Sequence, residues 1–235
     1  MPVALITGAS RGLGLATARA LAGRGWSVVA DARHEEDLAA AVRGLRAVTL
    51  VAGDVTSAGH RAGLAAAVTR LGRLDLLVNN ASSLGPSPLP PLRGYDVGAL
   101  RRVYETNVIA PLALIQLLAG PLATAGGTIV NVSSDAAVEA YDGWGGYGSS
   151  KAALDQVSAI LGAEHPELRV YALDPGDMRT EMHQQAFPGE DISDRPEPET
   201  VVPAVLRLLG DRPPSGRYRA AGLLTAGPAP AGAER

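Results

Sequence analysis

A tyrosine and a lysine stand four residues apart in the segment WGGYGSSKAAL, residues 144–154. Because residues i and i+4 share one face of a helix, Tyr147 and Lys151 can act on a common neighbour. A cation beside a phenol favours the phenolate and lowers its pKa. The pair therefore has the chemistry of a proton donor for a carbonyl group, although chance also supplies this spacing often.

The segment TGASRGLG, residues 7–14, follows a short apolar run and opens a helical pattern. Its glycines, Gly8, Gly12 and Gly14, let the backbone turn tightly and approach a diphosphate, and a helix N-terminus attracts anions. The spacing G-x-x-x-G-x-G differs from the common G-x-G-x-x-G fingerprint of dinucleotide-binding folds. A tight turn that binds nothing is the alternative, but three glycines in this context favour a cofactor.

Further polar residues follow other predicted strands. Asp54 is expected to accept a hydrogen bond from an adenine amino group or simply to cap the next helix. Asn79 and Asn80 have short amides suited to pinning neighbouring loops and a ribose, or to a plain Asx-turn. Asn107 is a poor helix former inside a long helical pattern. Ser134 follows the fifth predicted strand, where a turn residue is the ordinary interpretation.

Short apolar runs alternate with helical patterns, and together they must position these residues. The runs predict buried strands at 3–7, 27–31, 47–51, 74–79, 128–133 and 169–174. Helices are predicted near 12–24, 35–43, 59–70, 97–119, 147–164 and 199–209. This alternation implies right-handed crossovers and a parallel sheet covered on both faces. Since ligands bind outside the carboxyl ends of such strands, we expect the polar segments to meet at one edge of the sheet.

The composition limits the function classes. A chain of 235 residues favours one large α/β domain. A formal charge of -3 suggests neither nucleic acid nor an anionic membrane surface as partner. The absence of cysteine excludes disulfides and thiolate metal sites and fits a reducing compartment. We see no signal peptide and no apolar stretch near the roughly 20 residues that span a bilayer. A cytoplasmic protein without membrane, nucleic acid or metal is expected.

The segments TGASRGLG, NNA, NVSS and the Y-x-x-x-K of YGSSK, in this order, resemble the short-chain dehydrogenase/reductase family. The resemblance covers nearly the whole chain, from the first strand to about residue 220. It implies an α/β fold, a Rossmann-type doubly wound parallel sheet, in a single domain over residues 1–225. A flexible tail is expected at 226–235 and a substrate lid at about 178–198.

The resemblance also implies a catalytic tetrad, which consists of Asn107, Ser134, Tyr147 and Lys151. Ser134 is chosen over its neighbour because the family's catalytic serine usually lies 13 residues before the tyrosine. Tyr147 would give its proton to the carbonyl oxygen as hydride arrives from the nicotinamide, and Ser134 would hold that oxygen. Lys151 would bind the nicotinamide ribose and depress the pKa of Tyr147. Asn107 would bend its helix and hold a water that links Lys151 to solvent.

The implied cofactor is NADP(H), with NAD(H) possible. NAD-using relatives typically end the second strand with an acidic residue, and that position falls on Ala32 here. Arg33 follows and would clasp the 2′-phosphate, with Arg11 as a second clamp. Asp31 should point to the opposite face of the strand. A register slip of one residue would make Asp31 the ribose ligand and reverse the preference, and both arginines have the alternative of being solvent-exposed surface charges.

The full set of residues expected to bind the dinucleotide is Thr7, Gly8, Ser10, Arg11, Gly12, Leu13, Gly14, Arg33, Asp54, Val55, Asn80, Ala81, Tyr147, Lys151, Pro175, Gly176, Met178 and Thr180. Tyr141, Trp144 and Met182 are expected to line the substrate pocket, or else to pack under a loop. The partners would be a small carbonyl or alcohol substrate and further copies of the chain in a homodimer or homotetramer. The alternatives are an NAD-dependent alcohol dehydrogenase of the same family and a non-catalytic dinucleotide-binding regulator.

Three features depart from the family pattern. Ser82 stands where glycine commonly follows NNA, and Asp174 precedes Pro175 where a neutral residue is common. The carboxyl-terminal part lacks the frequent glycine-rich finish, which leaves the last strand and its oligomer contacts open. None of these departures touches the tetrad.

Overall fold

Seven parallel strands form a single sheet in the order β3-β2-β1-β4-β5-β6-β7. A computed structural model describes residues 1–225 of the chain. The strands are β1 (Val3–Ile6), β2 (Ser27–Ala32), β3 (Val48–Ala52), β4 (Leu76–Asn79), β5 (Thr128–Val132), β6 (Arg169–Asp174) and β7 (Gly216–Arg219). The predicted fold class, a doubly wound parallel sheet of Rossmann type in one domain, is confirmed. The predicted tail, 226–235, lies outside the described residues.

Helices cover both faces of the sheet. They are α1 (Gly12–Ala22), α2 (Glu35–Ala41), α3 (Ala58–Leu71), α4 (Val97–Tyr104), α5 (Ala110–Ala125), α6 (Gly145–Glu164), α7 (Glu181–Ala186), α8 (Val202–Asp211) and α9 (Ala220–Thr225). The strand order reverses between β1 and β4, where the connections diverge and open a crevice at the carboxyl ends of the strands.

The inner strands are built mostly from apolar residues because each face of the sheet is covered. One face carries Ile6, Ala30 and Val130, which pack with α1 and α8 in one cluster. The other carries Leu5, Val29 and Ile129, which pack with α3 and α5 in a second cluster. Side chains alternate between faces along a strand, so this two-sided burial produces continuous rather than alternating apolar runs.

The helix predicted at 97–119 runs further, through a π-helical segment at Glu105–Ile109 and on to Ala125. The predicted end was wrong because Pro121 does not stop the helix. Leu118 and Leu122 are buried at a spacing of four residues, so the inner stripe continues past the proline. The helix ends where Gly126 takes a left-handed conformation, with φ of 56°.

The same helix corrects a second expectation. By length and composition alone, Val97–Ala125 could cross a membrane, so the expectation that no apolar stretch approaches that length was wrong. In the fold it is a core helix, because Leu114, Leu118 and Leu122 pack against the sheet. Its outer side leaves apolar side chains such as Ile109 and Leu117 exposed.

The sequence did not decide whether a last strand exists. The structure has one, β7, which pairs in parallel with β6 at the edge of the sheet. Its sequence GRYR has two charged residues in four, so no apolar run marked it. The short helices α7 and α9 were also missed. The helix predicted at 199–209 begins only at Val202, because Pro198–Thr200 forms a separate 3-10 turn.

Candidate active site

A cavity of about 1160 Å³ opens at the carboxyl ends of the strands. Its walls come from the β1–α1 loop, the ends of β2 to β6 and the segment around α7. Pockets for ordinary small ligands span roughly 300 to 1,000 Å³. The cavity is therefore large enough for a dinucleotide together with a substrate.

The β1–α1 loop has the backbone that a diphosphate requires. Gly8 and Gly12 have φ of 66° and 55°, a region that side chains disfavour. A Cβ on Gly14 would lie 2.4 Å from the carbonyl oxygen of Gly8, so this contact requires glycine. The first turn of α1 carries no acidic side chain, and Arg11 at its N-cap makes no capping hydrogen bond through its side chain. The N–H groups there are available to an anion, so the loop fits a dinucleotide diphosphate.

Asn80 joins this loop to the end of β4. Its Nδ2 donates to the carbonyl oxygens of Thr7 and Gly8 at 2.9 and 3.1 Å. The Thr7 hydroxyl in turn accepts hydrogen bonds from the N–H groups of Asn80 and Ala81. The pinning of neighbouring loops that the asparagine pair predicted is thus present. Thr7 and Gly14 lie behind the cavity wall and support it, while a ribose contact of Asn80 stays a prediction.

The tyrosine and lysine of the opening segment lie on one face of α6. Lys151 Nζ is 5.5 Å from the centre of the Tyr147 ring and donates to the carbonyl oxygen of Val132 at 2.7 Å. Both side chains are buried and border the cavity. The Tyr147 hydroxyl is within hydrogen-bonding reach of the Ser134 and Ser82 hydroxyls.

The electrostatics differ from the expectation that Lys151 depresses the pKa of Tyr147. Burial raises the pKa of the Tyr147 phenol, and the hydrogen bonds with Ser134 and Ser82 only partly oppose that rise. Burial also lowers the pKa of Lys151 to about 8, against the opposing charge of Asp155. The pKa of Tyr147 thus lies above its ordinary value because of burial, so the depressed pKa that was expected from Lys151 is not found in this fold.

Ser134 begins a short 3-10 turn after β5. Its hydroxyl donates to Asp135 Oδ1 at 2.9 Å and accepts from the N–H of Ala136 at 3.2 Å. The side chain of Arg217 on β7 donates to the Ser134 carbonyl oxygen at 2.9 Å. By contrast, the Ser133 hydroxyl is buried with no hydrogen-bond partner among the described residues. The geometry favours Ser134 as the serine that acts beside Tyr147.

Asn107 lies in the π-helical segment, behind the cavity. Its Nδ2 donates to the Ser83 carbonyl oxygen and to Ser150 Oγ, both at 2.9 Å. Its Oδ1 accepts from the N–H of Ser83 at 2.7 Å and from Ser82 Oγ at 3.2 Å. The expected disturbance of the helix at Asn107 is present as the π segment, and the expected water link stays a prediction. Ser82, the residue that replaces the family's glycine, connects Asn107 with Tyr147.

At the far end of the cavity, the residues of β2 alternate as the strand geometry requires. Ala32 packs into the core cluster with α1 and α8, and Arg33 is exposed at the cavity rim. Asp31 points to the opposite face, where it is buried and meets His60. Asp31 and Ala32 thus face opposite sides of the sheet, as predicted, although Asp31 also lines the cavity. Which of them lies beside the ribose stays a prediction.

Asp54 and Arg11 have other partners in the fold. The Asp54 carboxylate accepts hydrogen bonds from the N–H and the hydroxyl of Thr56, both at 2.8 Å. The hydrogen bond from the Thr56 N–H lowers the pKa of Asp54. Arg11 forms an ion pair with Glu181 at the start of α7. Asp54 thus caps its own turn, whereas Ser57 caps the next helix, α3, so the alternative of a helix cap at Asp54 is wrong. Asp54 and Val55 both line the cavity, and the contact with an adenine stays a prediction.

The charge of Asp174 is balanced within the sheet. Asp174 Oδ2 lies 3.0 Å from Arg217 and 3.3 Å from Arg219, both on β7. Asp174 was expected to alter the charge near the nicotinamide. Its negative charge is instead balanced by the two arginines of β7, a strand that the sequence did not predict. Pro175 and Gly176 then carry the chain along the cavity wall, with Gly176 at φ of 72°.

The predicted lid packs over the tyrosine. Thr180 caps α7 by accepting from the N–H of His183, and Met182 packs in a cluster with Tyr147. Trp144 lies edge-on to Tyr147, with ring centres 5.8 Å apart. Met178, Thr180, Met182 and Trp144 all line the cavity, as do the other expected loop residues Ser10, Arg11, Gly12, Leu13 and Ala81.

The prediction that Tyr141 lines the substrate pocket is wrong, because Tyr141 lies outside the cavity. It is exposed, and its hydroxyl bonds to Asp135 and Glu139 at 3.1 and 2.8 Å. The sequence also missed residues that the fold brings to the site, among them Leu84 and Arg102. Ser82 was noticed only as a departure from the family, which is the one signal that could have found it. Within residues 1–225, no group of three or more His, Asp or Glu side chains is arranged to hold a metal ion.

A glycine loop, a crevice at the sheet reversal and a buried Tyr–Lys pair define a dinucleotide-dependent oxidoreductase of Rossmann type. A family profile for short chain dehydrogenases matches residues 2–191. The chain belongs to the short-chain dehydrogenase family, whose members bind a nicotinamide dinucleotide.

Relatives with known names agree with this assignment. L-xylulose reductase from Homo sapiens is 33% identical over 222 residues, covering 88% of each chain. Sepiapterin reductase from Meriones unguiculatus is 36% identical over 202 residues, covering 78% of this chain and 77% of its own. The crystal structure of a short chain dehydrogenase from Escherichia coli CFT073 complexed with NADPH superposes with a TM-score of 0.87 at 30% identity. It covers 93% of this chain and 96% of that one.

Proposed function

We propose that this protein transfers hydride between NADP(H) and a ketone or aldehyde, or the matching alcohol, with Tyr147 as general acid and base. One observation carries the proposal. The buried Tyr147 hydroxyl lies at the cavity within reach of Ser134 and Ser82, beside the ammonium of Lys151. A phenol placed in this way serves no evident packing purpose, because a phenylalanine would fill the same volume.

Proton transfer is the work of Tyr147. Because burial raises its pKa, the phenol is protonated at neutral pH and can give its proton to a carbonyl oxygen. The Ser134 hydroxyl, which donates to Asp135 Oδ1 in this structure, would turn to donate a hydrogen bond to that oxygen and fix its position. A positioned general acid contributes roughly 100- to 10,000-fold to the rate. The protonated phenol is the form that reduction of a carbonyl group requires.

Lys151 would hold the nicotinamide ribose. Its ammonium is fixed by the Val132 carbonyl oxygen at the end of β5 and keeps two further protons for hydrogen bonds. Asn107 supports the assembly from behind through Ser82 and Ser150. The bound nicotinamide supplies or accepts the hydride, and the chain contributes position, protons and the exclusion of water.

The preference for NADP(H) is supported by the rim of the cavity. The position that would carry an acid in an NAD-dependent relative is Ala32, and the exposed Arg33 follows it. Arg33 would bind the 2′-phosphate with Arg11 as a second contact, since guanidinium groups recognise phosphate in a bidentate manner. The Escherichia coli relative complexed with NADPH agrees. NAD(H) remains the alternative cofactor.

The substrate side is apolar. Trp144 and Met182 border the cavity next to Tyr147, and the segment 178–198 would act as a lid. We expect a small carbonyl compound or alcohol with an apolar body. Assembly as a homodimer or homotetramer and a cytoplasmic location belong to the same proposal.

The rival from another class is a regulator that binds the dinucleotide without turnover. Mixing the protein with NADPH and a panel of ketones and aldehydes, while following nicotinamide absorbance, separates the two. Consumption of NADPH with a carbonyl compound, absent in Tyr147→Phe, supports the enzyme. Bound NADPH with no turnover across a broad panel contradicts it and favours the regulator.

A further inference from the structure

A buried pair joins β2 to α3 beside the adenosine end of the cavity. His60 Nε2 lies 2.6 Å from Asp31 Oδ1, and the two side chains are 8% and 1% exposed. Asp31 Oδ2 also accepts a hydrogen bond from the N–H of Gly8 at 3.4 Å. A single carboxylate thus receives contacts from the glycine loop and from the first turn of α3.

The backbone at Gly53 leaves the space that the His60 imidazole ring occupies. Gly53, just after β3, has φ of 158°, and a Cβ there would lie 2.3 Å from His60 Nδ1. Any other residue at position 53 would displace the ring from the carboxylate. The absence of a side chain at Gly53 is therefore an independent sign that the contact between His60 and Asp31 is built into the fold.

The pair lies at the place where the two nicotinamide cofactors differ. Asp31 borders the same part of the cavity as Ala32, Arg33 and Asp54. A free carboxylate at the end of the second strand would accept hydrogen bonds from the ribose hydroxyls and repel a 2′-phosphate. This chain has such a carboxylate, one residue before the position where it would select NAD(H).

We infer that His60 is a specificity-determining residue, which holds Asp31 against α3 and the glycine loop and so keeps the 2′-phosphate site free of its charge. This inference rests on the proposed use of NADP(H). Burial raises the pKa of Asp31, and the hydrogen bond and charge of His60 oppose that rise. Without His60, the buried carboxylate loses its partner on α3, which is strongly destabilising. Because Asp31 also lines the cavity, its carboxylate would turn toward the cavity and repel the 2′-phosphate.

The experiment is a fluorescence titration of NADPH and NADH into intact protein. The variants are His60→Leu, Asp31→Asn and the double variant, with the exposed His165→Leu as matched control. His60→Leu should weaken NADPH binding roughly 10-fold, while NADH binding stays equal or improves. Asp31→Asn should bind both cofactors as the unmodified protein does. In the double variant NADPH affinity should return to within about threefold, because no charge is left to repel the phosphate.

Two results overturn the inference. One is an unchanged ratio of the two affinities in folded His60→Leu, and the other is a double variant that is as impaired as the single one. Should the leucine variant not fold, His60→Asn, which is too short to reach Asp31, carries the same expectation. The proposed NADP(H) preference fails separately, if the unmodified protein binds NADH more tightly than NADPH.

Discussion

The two ends of the cavity are built on different principles. At the catalytic end, Lys151 is 2% exposed and Tyr147 is buried, and each meets fixed partners from neighbouring strands. At the end where we propose that the adenosine binds, the groups proposed to select the cofactor are arginines at the rim, and the Arg11 side chain is 59% exposed. Burial fixes position and shifts pKa values, whereas exposed charges are screened by water. Substitutions should therefore have large effects on chemistry at the first end and smaller effects on cofactor choice at the second.

The catalytic end should respond most strongly to Tyr147→Phe. We expect kcat to fall roughly 100- to 10,000-fold, because phenylalanine has no proton to give, while NADPH affinity stays within about twofold. Steady-state turnover and a binding titration measure the two quantities. Tyr141→Phe is the control and should be near normal, because Tyr141 lies outside the cavity. A Tyr147→Phe protein with half the normal kcat would show that the acid is another group.

Lys151→Met should damage cofactor binding and rate together, because the lysine is expected to hold the ribose as well as to sit beside the phenol. Raising the pH should not restore activity. Measurements of KM for NADPH and of kcat across pH check both statements. An unchanged KM for NADPH would mean that Lys151 does not contact the ribose.

The same lysine makes a prediction about stability. Its pKa is lowered to about 8 by burial, so the folded chain binds fewer protons than the unfolded chain between pH 8 and the ordinary lysine range near 10.5. The free energy of unfolding of the unmodified protein, relative to Lys151→Met, should thus rise with pH across that window by up to about 3 kcal/mol. Urea unfolding of both proteins at pH 7 and pH 10 measures the difference. A difference that is constant or falls with pH would contradict the assigned direction.

At the adenosine end, Arg33→Ala should weaken NADPH binding roughly 10- to 150-fold and leave NADH almost unaffected, because a charge-assisted hydrogen bond to phosphate is lost. Titration of both cofactors measures the effect. The exposed Arg43→Ala on the neighbouring helix end is the matched control. Ala32→Asp should repel the 2′-phosphate and so shift the cofactor preference from NADPH toward NADH. Equal losses for both cofactors would assign Arg33 a general role rather than recognition of the 2′-phosphate.

The smallest effect is expected for Ser82→Gly, which restores the residue common in the family. Loss of one hydrogen bond to the phenol should reduce kcat about fivefold. Since the Ser82 hydrogen bond opposes the raised pKa of Tyr147, its removal should shift the basic limb of the pH profile for reduction upward. Ser83→Ala is the control, because only the Ser83 backbone contacts Asn107. A downward shift would show that Ser82 does not stabilise the phenolate.

The sequence predicted those elements whose sequence pattern follows from local physics. Strand β1 is buried on both faces, so its composition is apolar throughout, and the β1–α1 loop needs glycine for its backbone. It missed β7, where the arginines are paired with Asp174 and Asp155 across the sheet edge. Such pairing depends on residues distant in sequence and leaves no periodic pattern.

The candidate site likewise contains residues that local spacing predicts and residues that only long-range contacts bring into place. The segments around Gly8, Asn80 and Tyr147 are recognisable because their spacing is local. The pairing of His60 with Asp31 joins residues 29 positions apart, and Tyr141 lies near Trp144 in sequence yet turns out toward Glu139. The pKa of Tyr147 was misjudged for a related reason. Spacing reveals the neighbouring cation, but the degree of burial that dominates the shift depends on the folded chain.

The central claim, an NADP(H)-dependent reductase, is tested most directly by kcat/KM of the unmodified protein with NADPH and with NADH. One carbonyl substrate should be held at a fixed concentration at pH 7. The proposed 2′-phosphate site at Ala32 and Arg33 predicts that NADPH is favoured by roughly tenfold or more. An equal kcat/KM for both cofactors, or a higher one for NADH, would contradict it.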